Sequence, residues 1–338
     1  MGTASTLATL HLTENTDLVA WSPREPNELA IGTYQLDKSS GVRSGHVYLY
    51  TLDGADEEEQ RLSLAREWAG PGVFEMAWAG AGLGDQGPLL AVALTDGSVR
   101  ILDAQLRELA RTDESEEDAL TCCVCWLEAP RTGSASATLL ASYSDGSAER
   151  FQLAESGLRP CGRWKAHDLE AWAAAPGVGA EPAIAFTGGD DGAIKAWDSR
   201  AGDAPVWANR REHTAGVCCI APSPHLDHEF ATGSYDESVR LWDVRWPGRP
   251  SVTASAAVGG GVWRLRWHPR DPARLLAAAM QHGFVIVHRC EMDLVPDELY
   301  PHQQTLAYGA DWRRPGGDLV ATASFYDNLV HVWRPGSC

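Results

Sequence analysis

The chain has 338 residues, 44% of them hydrophobic and 22% charged, with 14 Trp, so it can bury a large core. A formal net charge of −18 at pH 7 argues against a surface that grips the phosphate backbone of a nucleic acid and favours a soluble chain whose partner is basic. The eight cysteines sit mostly inside apolar runs rather than at disulfide-framework spacings, the N-terminus lacks a leader's charged and apolar segments, and no run approaches the ~20 apolar residues that span a bilayer. Reduced thiols, a cytoplasmic location and no membrane partner are the expectation.

In chain order, the first element is the alternating segment TLATLHL (Thr6 to Leu12). LAIGTYQ and GHVYLYTL (Leu29 to Leu52) then read as two strands with a long polar hairpin between them. LLAVALTDGSVRILD (Leu89 to Asp103) turns at Asp96, and LLASYSDGSAERFQL (Leu139 to Leu153) turns at Asp145. The stretch Lys165 to Arg245 holds two clear copies of one pattern, in which His167 matches His213, Asp191 matches Asp236 and Trp197 matches Trp242. LLAAAMQHGFVIVHRC (Leu275 to Cys290) places His282 in the turn and His288 in the position of the Trp; LVATASFYDNLVHVW (Leu319 to Trp333) turns at Asp327. The turns recur about every 45 residues, the period of a four-stranded propeller blade.

These repeats predict an all-β fold, a single seven-bladed WD40 β-propeller over residues 1–338, with blades at approximately 13–52, 70–103, 118–153, 164–200, 210–245, 257–290 and 302–334. The last blade is one strand short, so the N-terminal strand (residues 6–12) is expected to close the ring. Each turn Asp is expected to accept from the His of the preceding loop while the Trp indole donates from beneath, a buried network that staples the blade.

The innermost strands read DLVAWSP, VFEMAWAG, LTCCVCWLE, EAWAAAP, GVCCIAPSP, GVWRLRWHP and LAYGADWRRP. One register position across them holds Asp17, Phe74, Cys122, Trp172, Cys218, Trp263 and Tyr308, which should encircle one mouth of the channel. Cys122, Cys123 and Cys125 are too close together for a tetrahedral zinc site and read as small buried side chains; no metal is expected. The acidic tracts DGADEEE (Asp53 to Glu59) and DESEED (Asp113 to Asp118) read as solvated loops, or else as a landing surface for a basic partner.

GGGVWRLRWHP (Gly259 to Pro269), LLAAAMQHGFVIV (Leu275 to Val287), LAYGADW (Leu306 to Trp312), ATASFYDNLVHVW (Ala321 to Trp333) and AHDLEAW (Ala166 to Trp172) depart from generic repeats. In these stretches, and in GTYQL, GGDDG and ATGSYDE, the chain resembles the WD-repeat diphthine methylesterases of diphthamide biosynthesis. The resemblance runs through essentially the whole chain; the short RRPGGD connection (Arg313 to Asp318) and the acidic loops depart from it. It implies removal of the methyl ester from methylated diphthine, the modified His of translation elongation factor 2, with water as co-reactant and no cofactor.

No G-x-S-x-G elbow and no H-E-x-x-H motif is present, so a catalyst must be gathered from several blades. The candidates are Glu170, Arg264 and Asp311 at the predicted mouth, with His167 and His213 as possible bases; Arg264 and Asp311 could equally form a structural ion pair. Trp172, Trp263 and Tyr308 are the candidate substrate-binding residues, since a trimethylammonium group has no hydrogen-bond donors and is best held by ring faces. They lie on blades four, six and seven and could converge only across the channel, or simply pack between blades. The alternative is a non-catalytic adaptor, because Trp197-Asp198-Ser199-Arg200 and Trp242-Asp243-Val244-Arg245 match the W-D-x-R box by which some propellers dock on a cullin-RING ubiquitin ligase.

Overall fold

The turns explain the strands. In the hairpins of blades two to five, the first turn residue is an Asp whose Oδ1 accepts the backbone N–H two residues on: Ser98 for Asp96, Ser147 for Asp145, Ala193 for Asp191 and Ser238 for Asp236. The residue after that Asp takes a positive φ, 79° at Gly97, 81° at Gly146, 71° at Gly192 and 64° at Glu237, which reverses the chain tightly enough for the flanking apolar runs to pair.

The computed structural model describes residues 4–54, 60–79, 87–114, 118–128, 136–179, 183–245, 250–291, 293–300 and 305–336. Its strands form seven antiparallel sheets, one per blade. The innermost strands are Thr16–Trp21, Val73–Ala79, Thr121–Glu128, Ala173–Pro176, Val217–Pro222, Arg264–Trp267 and Ala307–Trp312. Six blades finish with an outer strand of their own, and the seventh is finished by Ser5–His11, which pairs antiparallel with Leu329–Arg334. The N-terminal segment therefore closes the ring, and the Thr6 hydroxyl lies 2.6 Å from that of Tyr300 on blade six.

The predicted blade ranges stop at the third strand, whereas fourth strands follow at Arg61–Gly70, Glu108–Arg111, Gly157–Lys165, Trp207–Asn209, Ser251–Ala257 and Asp293–Tyr300. Arg61–Gly70 has no fully buried residue, and its one-sided apolar pattern of Leu62, Leu64 and Trp68 is broken by Arg66, which left it unread in the sequence. Much of the two acidic tracts, residues 55–59 and 115–117, lies outside the described residues.

Burial is distributed. Seven apolar clusters each occupy one seam between neighbouring blades, for example Val19, Trp21 and Ile31 of blade one against Ala321, Val330 and Val332 of blade seven. Within blade four, His167 Nδ1 lies 2.9 Å from Asp191 Oδ1, His167 Nε2 lies 2.8 Å from Thr187 Oγ1, and the Trp197 indole donates to that same Oγ1 at 2.9 Å. Blade five repeats this with His213, Asp236, Thr232 and Trp242. The Thr, absent from the sequence expectation, is the hinge of the network. It accepts from the indole, which leaves its own hydrogen for Nε2 and the imidazole proton on Nδ1 for the carboxylate.

Candidate functional site

The ring position predicted from the inner strands has a local cause. Pairing with the second strand slips between Thr16 and Leu18, Val73 and Glu75, Thr121 and Cys123, Val217 and Cys219, and Ala307 and Gly309. Asp17, Phe74, Cys122, Cys218 and Tyr308 are thus the bulged residues of their blades, re-aimed out of the pleat. Trp172 and Trp263 immediately precede their strands, which begin at Ala173 and Arg264.

The aromatic members meet. The Trp263 ring stacks on Tyr308 with centroids 5.0 Å apart and contacts Trp172 at 5.7 Å; Tyr235 lies 6.1 Å from Trp263, and Phe325 lies 5.2 Å from Tyr308. Trp172 and Trp263 do not face each other across the channel as expected. They touch directly over blade five, whose ring residue is the small, buried Cys218. The partly exposed rings of Trp172, Trp263 and Tyr308, packed on one another with Tyr235 beside them and Tyr326 at the rim, form an aromatic cluster, the cage, at the mouth.

Beneath the cage the channel is bridged by Arg264, which is buried. Its Nη2 reaches Asp17 Oδ2 at 3.2 Å and the Phe74 carbonyl at 2.6 Å, Nη1 donates to the carbonyls of Asp17 and Tyr308, and Nε lies 3.4 Å from Glu75 Oε2. All five guanidinium donors are therefore used. Burial pushes the Asp17 carboxyl up to about 6, with Arg264 pulling the other way.

Of the sequence candidates, the structure brings together Trp172, Trp263 and Tyr308, and leaves Glu170 next to them. Glu170 is partly exposed, its carbonyl accepts the Asp190 N–H at 2.8 Å, and its charge helps raise the Tyr235 phenol and the Cys122 thiol, each raised chiefly by burial. The Arg264–Asp311 ion pair does not form. Arg264 is taken by Asp17 and Glu75, while Asp311 lies three residues deeper on the last inner strand, where its Oδ2 accepts the Trp21 N–H at 2.9 Å and its Oδ1 lies 4.0 Å from Arg266. His167 and His213 sit in the blade networks with both nitrogens engaged and no face open to the mouth, so neither is free to act as a base. The Cys218 thiol is pushed well above its usual range by burial and donates to the Gly216 carbonyl.

Sequence reading missed Asp190, whose Oδ1 accepts the Trp172 indole N–H at 3.1 Å. The signal available was the doubled Asp of GGDDG, where the second carboxylate alone is needed for the turn. Two grooves lie away from the mouth, one of about 300 Å³ lined by Val178, Phe186, Trp207 and Val244, the other of about 430 Å³ lined by Val258, His282, Pro296 and Leu299. In the W-D-x-R boxes, Arg200 forks onto Asp198 at 2.9 and 2.7 Å and Arg245 onto Asp243 at 3.1 and 2.8 Å, so each exposed Arg is paired within its own box.

Comparison with known proteins agrees with the fold. Residues 208–243 match the WD domain, G-beta repeat family. Among solved structures, a chain of the mitotic checkpoint complex superposes with a TM-score of 0.74 over 99% of this chain and 93% of its own, at 19% identity, which speaks to the fold alone. Curated relatives named diphthine methyltransferase come from Homo sapiens, 32% identical over 88% of this chain and 72% of theirs, and from Saccharomyces cerevisiae, 30% identical over 90% and 92%. A Dictyostelium discoideum homolog is 28% identical over 97% of this chain and 98% of its own. With the seven-bladed ring, its closing strand and that extent of likeness in hand, the chain belongs to the WD-repeat family of the diphthine methyltransferases.

Proposed function

We propose that this protein hydrolyses the methyl ester of methylated diphthine on translation elongation factor 2, a step of diphthamide biosynthesis. The observation that carries the reading is the cluster of Trp172, Trp263 and Tyr308, since a trimethylammonium group beside an ester is matched by the solvent-facing sides of clustered aromatic rings. Arg264 lies buried beside the cluster, bonded to Asp17 and to the Phe74 carbonyl, and we assign it as the floor that an entering side chain would meet. We assign the activation of water to Glu170, a partly exposed carboxylate two residues before Trp172. It takes a proton as the oxygen attacks the ester carbonyl and returns it to the departing methoxide, so that ester and water become methanol, a carboxylate and a released proton.

The relatives' name speaks of methyl transfer, and the two reactions leave opposite marks. Purified protein incubated with the elongation factor bearing methylated diphthine should lower the mass of the modified peptide by one CH2 unit with release of methanol. In ¹⁸O-water the label should enter the carboxylate. A rise by one CH2 unit that depends on a methyl donor would establish transfer instead. Retention of ubiquitin-ligase subunits with unchanged peptide mass would establish the adaptor.

A further inference from the structure

The residue immediately before each turn residue forms a second tier around the mouth: Thr95, Ser144, Asp190, Tyr235, Gln281 and Tyr326. On blades two and three its side chain holds backbone, with Thr95 Oγ1 accepting the Gly72 N–H and Ser144 Oγ the Leu120 N–H, both at 2.9 Å. On blades five and seven it is a tyrosine open to solvent, Tyr235 at 38% and Tyr326 at 65%. On blade four it is Asp190, the only charged residue of the tier, and it turns toward the aromatic cage.

The two neighbouring carboxylates of GGDDG thus have separate work. Asp191 Oδ1 holds His167 at 2.9 Å and closes the turn, while Asp190 Oδ1 accepts from Trp172 Nε1. Room for Asp190 is made by Gly216, where a Cβ would collide with Asp190 Oδ1 and press on the Tyr235 ring. The carboxylate therefore sits in the cage wall between Trp172 and Tyr235, and its charge, after burial, helps raise the Tyr235 phenol.

We propose that Asp190 is the specificity-determining residue of the mouth: it orients the Trp172 indole by accepting its N–H, and it adds a negative charge to the wall, so that the cage selects a permanent cation over a neutral group of the same shape. The proposal rests on the reading of the cage as a trimethylammonium site. Ring faces alone attract a quaternary ammonium through their quadrupole but also take up a neutral tert-butyl group by burying it, so a carboxylate in the wall widens the difference between the two.

The test compares choline with its neutral carbon isostere 3,3-dimethyl-1-butanol, binding to the full chain measured by titration calorimetry or ligand-observed NMR. Asp190→Asn keeps an oxygen for the indole and removes the charge. It should weaken choline about fivefold, the order expected for one partly solvated charge pair, and leave the isostere unchanged. Asp190→Ala, which also frees the indole, should weaken both ligands, and Gly216→Ala should weaken choline by displacing the carboxylate. With the methyl-ester substrate, Asp190→Asn should raise KM and spare kcat. Asp190→Asn that retains the wild-type preference for choline overturns the proposal. Trp263→Ala separates the two ideas: if it lowers choline affinity while Asp190→Asn does not, the cage stands and Asp190 is removed from it, and if Trp263→Ala has no effect either, the cage itself is refuted.

Discussion

Arg264 of blade six and Asp17 of blade one meet at 3.2 Å across the channel although 247 residues separate them in sequence. The same guanidinium takes the carbonyls of Asp17, Phe74 and Tyr308, three members of the ring whose side chains define the mouth. Arg264 thus ties blades one, two and seven to blade six. Burial works against its charge, and Glu75 and Asp17 more than offset that.

Arg264→Met should destabilise the ring by about 3–5 kcal/mol, because it leaves the buried Asp17 without its cation and the part-buried Glu75 with Arg266 alone. Denaturant unfolding checks it, and adding Asp17→Asn to that variant should recover part of the loss. Asp17 also predicts a pH dependence. Its folded carboxyl titrates at about 6 against 3.8 in the unfolded chain, so the folded state binds the extra proton between those values. Stability contributed by the protonated form is full below about 4 and is lost as pH rises through about 6. The stability of the wild type relative to Asp17→Asn should fall over that window.

Trp263→Ala should weaken capture of a quaternary ammonium by about 1–2 kcal/mol, given the strength of a partly desolvated cation–π contact. Hydrolysis of the methyl ester should slow by about tenfold. Because Trp263 is only partly exposed and its ring packs on Trp172, Tyr235 and Tyr308, a modest fall in melting temperature should accompany this, with the fold retained. Activity assay and thermal melt together check this.

Asp191→Ala and Asp236→Ala should each cost about 1–3 kcal/mol by leaving a buried imidazole N–H without an acceptor. Burial pushes the Asp191 carboxyl up, but its bonds to His167 and to the Ala193 and Asp168 N–H groups outweigh this and hold it well below the usual range. Its stabilisation is present above about 4 and lost as pH falls further. Melting curves of wild type and Asp191→Ala should therefore draw together in acid.

Removal of the first twelve residues should open the ring. The strand Leu329–Arg334 would become a free edge, and Ala8 would leave the apolar seam it shares with Val330 and Val332. The truncated chain should melt at lower temperature and self-associate in size-exclusion chromatography, while a monomer of wild-type stability would show that blade seven needs no fourth strand.

Much of the fold was legible because its determinants are local. An Asp that accepts the N–H two residues on, followed by a residue able to hold a positive φ, marks a turn within a few residues, and its recurrence counts the blades. The ring from Asp17 to Tyr308 was legible for the same reason, since equal register in equal strands puts equal positions at one end of the channel. The exposed outer strands carry no such pattern.

What the tertiary structure alone decided is which of those residues touch. The sequence contains Arg264, Asp311, Asp17 and Glu75 with equal claims to one another, and only closure of the ring sets Arg264 against Asp17 and Glu75 and leaves Asp311 with the Trp21 N–H. The meeting of Trp172 with Trp263 joins blades four and six, and the service of Asp190 to the indole needed the missing Cβ of Gly216. Sequence period places each blade, but these contacts join side chains from different blades, and their geometry is set by the bulges that rotate Asp17, Phe74, Cys122, Cys218 and Tyr308 out of their pleats and by the curvature of a closed ring, which one repeat does not encode by itself.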